Sequence, residues 1–172
     1  MKEDRDNSFY LKEIDRLRKE RNAVILAHNY QPEEIQLIAD ILGDSLDLSE
    51  KAAEVKEDVI VFAGVSFMAE SAKVLAPSKT VLHPVPDSRC PMADMIDARK
   101  VRQLKEQNPG AAVIAYINTN VETKMEVDAV CTSANAVSVA RNFPANKIIF
   151  LPDINLGRFV KNQVLEKEFI LF

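Results

Sequence analysis

The segment that decides the fold is Ala23-Val24-Ile25-Leu26-Ala27, followed by His28-Asn29-Tyr30-Gln31-Pro32. Five consecutive apolar residues bounded by polar and turn-forming ones predict a short strand buried on both faces. Upstream, Asn7 or Ser8 can cap a helix whose apolar residues Leu11, Ile14 and Leu17 recur at threes. Downstream, Pro32 with Glu33 and Glu34 opens a helix expected to reach about Leu42, where Gly43 ends it. Ser45 is expected to cap a second helix, with Leu46, Leu48, Ala52 and Val55 as its apolar positions.

The alternation continues. Val59 to Ala63 reads as a second buried strand, Phe67 to Leu75 as a helix stopped before Pro77, and Thr80 to Leu82 as a short strand. His83 to Met92 carries Pro84, Pro86 and Pro91 and reads as a loop. Asp97 caps a helix rich in Lys and Arg, Asn108-Pro109-Gly110 is a turn, and Ala112 to Ile117 is again a strand. Short apolar strands alternating with helices predict an α/β fold with a mainly parallel sheet.

The chain also resembles itself. An ungapped shift of 88 residues sets His28-Asn29-Tyr30 over Tyr116-Ile117-Asn118, Asp40 over Asp128, Ser45 over Ser133, Phe62 over Phe150 and Lys73 over Lys161. Strand falls on strand and helix on helix, which is the mark of a structural repeat. The expected organisation is two pseudo-symmetric three-layer αβα units with short parallel sheets, 1–87 and 88–172. Equivalent loops of similar units are expected to converge on a shared cleft. The same shift matches Glu168–Phe172 to the strand at Thr80–Leu82 and places the counterpart of Cys90 six residues past Phe172, so the second repeat is expected to end early.

Of 172 residues, 47% are hydrophobic, enough for a real core, and the formal net charge is −4 with acids and bases intermixed. No basic face suggests a nucleic-acid partner. No apolar run of 18 residues suggests a membrane span, and the charged start to Arg21 lacks a signal-peptide core. A cytoplasmic location is therefore expected, with Cys90 and Cys131 as reduced thiols.

Chemistry is expected where parallel strands end, since α/β proteins bind ligands beyond the carboxyl edge of the sheet. His28 and Tyr30 follow the first strand, and Tyr116 and Asn118 take the matching places in the second copy. Ser45 and Ser133 are expected to stand at helix N-termini, where a hydroxyl and free backbone N–H groups bind anions. Cys90 precedes Pro91 in a proline-rich loop, a setting that exposes a thiolate, whereas Cys131 reads as a small packing residue. Gly43-Asp44-Ser45-Leu46 matches a serine-esterase signature, but neither His28 nor His83 has the aspartate three residues earlier that such a triad needs.

Together these stretches resemble the quinolinate synthase (type A) family. The residues that carry the resemblance are Ala27–Gln31, Ile35-Gln36, Ala39-Asp40, Gly43–Leu46, Gly64-Val65, Phe67–Glu70, Cys90–Ala93, Tyr116–Asn118, Cys131–Val137, Pro152-Asp153 and Leu156-Gly157, spanning roughly Val24 to Val160. The resemblance implies three similar α/β domains, of which two are present here, each giving one cysteine to a [4Fe–4S] cluster. Cys90 is then the one metal ligand in this chain. The implied reaction condenses iminoaspartate, supplied by an L-aspartate oxidase, with dihydroxyacetone phosphate. It gives quinolinate for NAD biosynthesis. His28, Ser45, Tyr116, Asn118 and Ser133 would bind substrate. Tyr30 and His28 would serve catalysis, with Tyr30 moving a proton. The cluster's open iron would act as a Lewis acid. With one of three cysteines, this chain alone is expected to be inactive. The alternative is a non-catalytic α/β module that binds a small molecule.

Overall fold

The computed structural model describes residues 7–172. The chain divides into two compact units between Ser88 and Arg89. The first contains α1 (Asn7–Glu20), β1 (Ala23–His28), α2 (Glu33–Ile38), β2 (Ile41–Gly43), α3 (Ser45–Glu54), β3 (Val59–Ala63), α4 (Ser66–Leu75) and β4 (Thr80–Leu82). The second contains α5 (Ala98–Gln107), β5 (Ala112–Tyr116), α6 (Val121–Lys124), β6 (Ala129–Cys131), α7 (Ala136–Asn142), β7 (Lys147–Leu151), α8 (Ile154–Gln163) and β8 (Glu168–Leu171).

Each unit is built on one four-stranded sheet, in the order β2-β1-β3-β4 and β6-β5-β7-β8. All pairings are parallel, and their register repeats residue for residue at the 88-residue spacing seen in the sequence. His28 pairs with Gly43 as Tyr116 pairs with Cys131, Val24 with Ile60 as Ala112 with Ile148, and Val59 with Thr80 as Lys147 with Glu168. The α/β class with parallel sheets follows as expected from the sequence.

Side chains alternate across each sheet with period two, as pleated strands require. In the second unit Ile114, Ile148 and Phe150 pack with α7 and α8 through Ala136, Ala140 and Val160. Val113, Ala115, Ile149 and Leu151 pack on the opposite face against Val101 and Leu104 of α5. In the first unit Leu26, Ile60 and Phe62 are fully buried, as are Leu48 and Ala52 of α3. The other face is less tightly closed: α1 buries no residue completely. An apolar cavity of about 620 Å³ lies between Ile14 and Leu17 of α1 and the sheet residues Ile25, Val59, Val61 and Leu82.

Two strands went unread in the sequence. The helix expected to run from Pro32 to Leu42 stops at Ile38, and Ile41–Gly43 leaves it to become the edge strand β2. Asp40 makes the switch. Its N–H donates to the Ile25 carbonyl at 2.9 Å while its Oδ2 accepts the Ile25 N–H at 2.8 Å. The counterpart Asp128 holds Val113 in the same way at 2.9 and 2.7 Å, starting β6. A carboxylate thus completes the hydrogen bonding of a buried central-strand N–H that the edge strand does not reach.

Removing that acceptor orphans a buried donor. Asp128→Ala and Asp40→Ala are each expected to destabilise their unit by about 1–3 kcal/mol. The Asn variants, which keep a side-chain oxygen, should lose less. Urea unfolding of the four variants checks this; an Asp128→Ala midpoint equal to wild type would refute it.

Candidate active site

In the first unit, β1 delivers His28 to the carboxyl end of the sheet, where the burial of Val24–Ala27 gives way to a partly exposed imidazole. The chain turns there: Gln31 N–H donates to the His28 carbonyl at 2.9 Å. The turn lays the Tyr30 ring on the imidazole, with centroids 4.0 Å apart and planes tilted by 35°. The Tyr30 N–H donates to His28 Nδ1 at 3.3 Å, which leaves the ring proton on Nε2. Partial burial lowers the His28 pKa below 6.5, and the Asp44 carboxylate opposes this with a smaller upward pull. At neutral pH His28 is therefore an uncharged donor through Nε2–H. Tyr30 is 52% exposed.

Ser45 is not the cap expected from sequence. Asp44, one residue earlier and extended (φ −88°, ψ −178°), caps α3 by accepting the Leu46 and Asp47 N–H groups at 2.9 Å each. An anion would find those two donors taken. Ser45 is the first helical residue, partly exposed, with its carbonyl accepting from Ser49 Oγ at 2.6 Å. The adjoining strand is close beneath: a Cβ on Gly43 would lie 2.3 Å from Asp47 Oδ2.

In the second unit Tyr116 ends β5, the register equivalent of His28, and Asn118 stands where Tyr30 stands. Both are partly buried. Asn118 Nδ2 donates to Cys90 Sγ at 3.6 Å. Cys90 is a free, partly exposed thiol in the segment before α5. That segment is pinned by a bidentate pair, Arg89 Nε to Asp94 Oδ2 at 2.9 Å and Nη2 to Oδ1 at 2.6 Å. Asn120 Nδ2 adds bonds to Asp94 Oδ1 at 3.0 Å and to the Ala93 carbonyl at 3.2 Å. Arg89, then Asn120, holds the Asp94 carboxyl down at about 2.

Ser133 also departs from the sequence expectation. α7 begins three residues later, at Ala136, because Asn135 Oδ1 accepts the Thr132 N–H at 2.7 Å and holds residues 132–135 as a turn. Ser133 is exposed on that turn and caps nothing. Cys131 is buried at 1% exposure, and burial pushes its thiol up to about 12, so it is a packing residue, as the sequence suggested.

The first unit thus brings His28 and Tyr30 together, and the second brings Asn118 to Cys90. The pinning of the Cys90 segment was not read from the sequence, since an Arg-x-x-x-x-Asp spacing in a loop has no characteristic meaning. As a donor set for a [4Fe–4S] cluster, the chain offers one accessible thiol. Among the described residues no group of three or more His, Cys, Asp or Glu side chains is placed to hold a metal ion. A cluster held by three thiolates therefore does not fit the donors of this chain alone. No helix among the described residues is long and apolar enough to cross a membrane.

Similar proteins fit this picture. The quinolinate synthase of Aquifex aeolicus (strain VF5) is 56% identical over 161 residues, 94% of this chain and 50% of that protein. The quinolinate synthase of Sulfurihydrogenibium sp. (strain YO3AOP1) is 54% identical over 167 residues, 97% of this chain and 54% of its own. That of Geobacter metallireducens is 56% identical over 151 residues, 88% of this chain and 50% of its own. The chain thus spans about half the length of the curated relatives it matches. The family NadA, quinolinate synthetase A protein, matches residues 12–172. With nearly the whole sequence matched, this chain belongs to the quinolinate synthetase A family.

Proposed function

We propose that this chain carries the substrate-facing half of a quinolinate synthase, condensing iminoaspartate with dihydroxyacetone phosphate to quinolinate, phosphate and water. The observation that carries the reading is the matched pair of strand ends: His28 closes β1 with Tyr30 two residues on, and Tyr116 closes β5 at the same register position with Asn118 two residues on. Family membership supplies the reaction. Iminoaspartate is unstable in water, so an L-aspartate oxidase is the fitting upstream partner, and the cytoplasm is the fitting compartment.

The roles follow from the chemistry of each group. Neutral His28 donates Nε2–H to a substrate carboxylate or carbonyl without placing a second charge beside Asp44. Tyr30, stacked on His28 and half-exposed, carries the phenol that exchanges a proton with the condensing substrate. Tyr116 and Asn118 offer hydrogen-bonding groups to substrate, and Ser45 and Ser133 offer hydroxyls. Cys90 is one ligand of the [4Fe–4S] cluster implied by the family, which takes three thiolates. Cys131 does not supply another, since it stays protonated and buried.

Two measurements test this. After anaerobic reconstitution the 172-residue chain by itself should hold well below one cluster and form no quinolinate. Replacing the corresponding half of the Aquifex aeolicus enzyme with residues 12–172 should restore quinolinate formation. In that chimera His28→Ala and Tyr30→Phe should each lower kcat/KM by about 10²-fold or more. A chimera that binds substrate without turnover would favour the binding-module alternative.

The lowered His28 pKa has a pH signature. A depressed folded value means that unfolding takes up a proton just below pH 6.5, so His28's stabilising contribution is complete above 6.5 and is lost as pH falls through its folded value. NMR titration should find the His28 midpoint below 6.5 with the proton on Nε2. A midpoint above 6.5 would contradict the burial argument.

A further inference from the structure

We propose that Gln36 is a positioning residue that aims the Tyr30 phenol by fixing the turn that stacks its ring on His28. The inference rests on the reading of His28 and Tyr30 as the catalytic pair, and adds what sets their geometry.

His28 closes β1, but residues 29–32 belong to no helix or strand, so regular backbone places the imidazole and not the phenol. A reactive group on a turn holds its geometry only where neighbouring groups lock it. Here the lock comes from α2, outside the turn. The Gln36 side chain donates through Nε2 to the Gln31 carbonyl at 2.7 Å and to the Asn29 carbonyl at 3.2 Å. An amide NH2 carries two hydrogens, so one group serves both acceptors.

Those carbonyls bracket Tyr30. The direction of a side chain is set by the peptide planes on either side of its Cα. The plane before Tyr30 carries the Asn29 carbonyl, held by Gln36, and the Tyr30 N–H, held by His28 Nδ1 at 3.3 Å. The plane after it carries the Gln31 N–H, held by the His28 carbonyl at 2.9 Å. Gln36 fixes the next plane through the Gln31 carbonyl. At its start the turn is anchored to β2, where the Asn29 N–H donates to the Gly43 carbonyl at 3.1 Å. Gln36 is itself held in α2, its N–H donating to the Pro32 carbonyl at 3.0 Å. The product is the ring stack at 4.0 Å.

This device is not part of the repeated framework. The position matching Gln36 in the second unit is Lys124, and there Thr119 Oγ1 donates to the Tyr116 carbonyl at 3.2 Å instead. The Gln36 bonds accompany the His28–Tyr30 pair, which the second unit replaces with Tyr116 and Asn118.

The first test is NMR on the 172-residue chain. The Tyr30 ring should displace the His28 ring-proton signals, and Tyr30→Leu gives the full size of that displacement. Gln36→Met keeps the side-chain length and helix preference but removes both donors. It should abolish most of the displacement while the β1 amide signals stay in place. Gln36→Lys returns a donor of similar reach and should recover part of it. An unchanged displacement in Gln36→Met would overturn the proposal, as would loss of the β1 pattern with it, which marks a role in folding. The wild type gives a check that needs no variant: the Gln36 side-chain NH2 should exchange with water more slowly than an exposed amide, and exchange at the exposed rate would overturn the hold.

The second test uses the chimera with the Aquifex aeolicus enzyme. Gln36→Met should lower kcat by about 10-fold or more with KM nearly unchanged. In a Tyr30→Phe background the loss should vanish, because a missing phenol cannot be misplaced. A full loss in that background would count against positioning. Failure of the catalytic reading would show separately, as a Tyr30→Phe chimera with parental activity whose ring displacement still responds to Gln36.

Discussion

The candidate side chains His28, Tyr30, Tyr116 and Asn118 take their places from buried central strands whose backbones must be hydrogen-bonded on both sides. β1 and β5 each lie between two parallel neighbours, and the three-residue partners β2 and β6 are too short to cover them. Asp40 and Asp128 fill the gap by bonding the main chain of Ile25 and Val113. Because parallel strands all point one way, that solution sends His28 and Tyr116 to the carboxyl edges of their sheets. The residues that follow, Tyr30 and Asn118, inherit their places from the same register.

The two copies share this frame and differ in what they mount on it. In the first, an aromatic ring stacks on a neutral imidazole beside the self-capped helix α3. In the second, an amide reaches a sulfur, and Arg89, Asp94 and Asn120 are joined by hydrogen bonds in the segment beside it. One architecture thus presents two unlike sets of polar groups at its strand ends. The position of Gly43 and Cys131 illustrates the freedom: an Asp47 carboxylate covers the glycine in one copy, while a buried thiol fills the space in the other.

Much of the fold was legible. Continuous apolar runs marked β1, β3 and β5, since strands buried on both faces need no polar alternation, and the 88-residue shift carried β3 onto β7. Asp97 was correctly read as a cap, accepting the Lys100 N–H at 2.7 Å. The misreadings have physical causes. Ile41-Leu42 prolongs the apolar pattern of Ile35, Leu37 and Ile38, so only its pairing with Leu26 and Ala27 makes it a strand. Ser45 and Asp44 are both good caps, and the backbone angle at Asp44 decides between them. Ser133 matches Ser45 in sequence, yet the Thr132–Asn135 turn delays its helix by three residues.

From the sequence alone came the α/β class, the 88-residue repeat and the polar residues at the strand ends, because periodicity and spacing are local properties of the chain. The tertiary structure alone decided how far burial raises the Cys131 thiol, that His28 holds its proton on Nε2, and that Asn118 meets Cys90 across 28 residues of sequence. Burial, tautomer and contact arise from neighbours brought together by folding, and no local pattern encodes which neighbours those are.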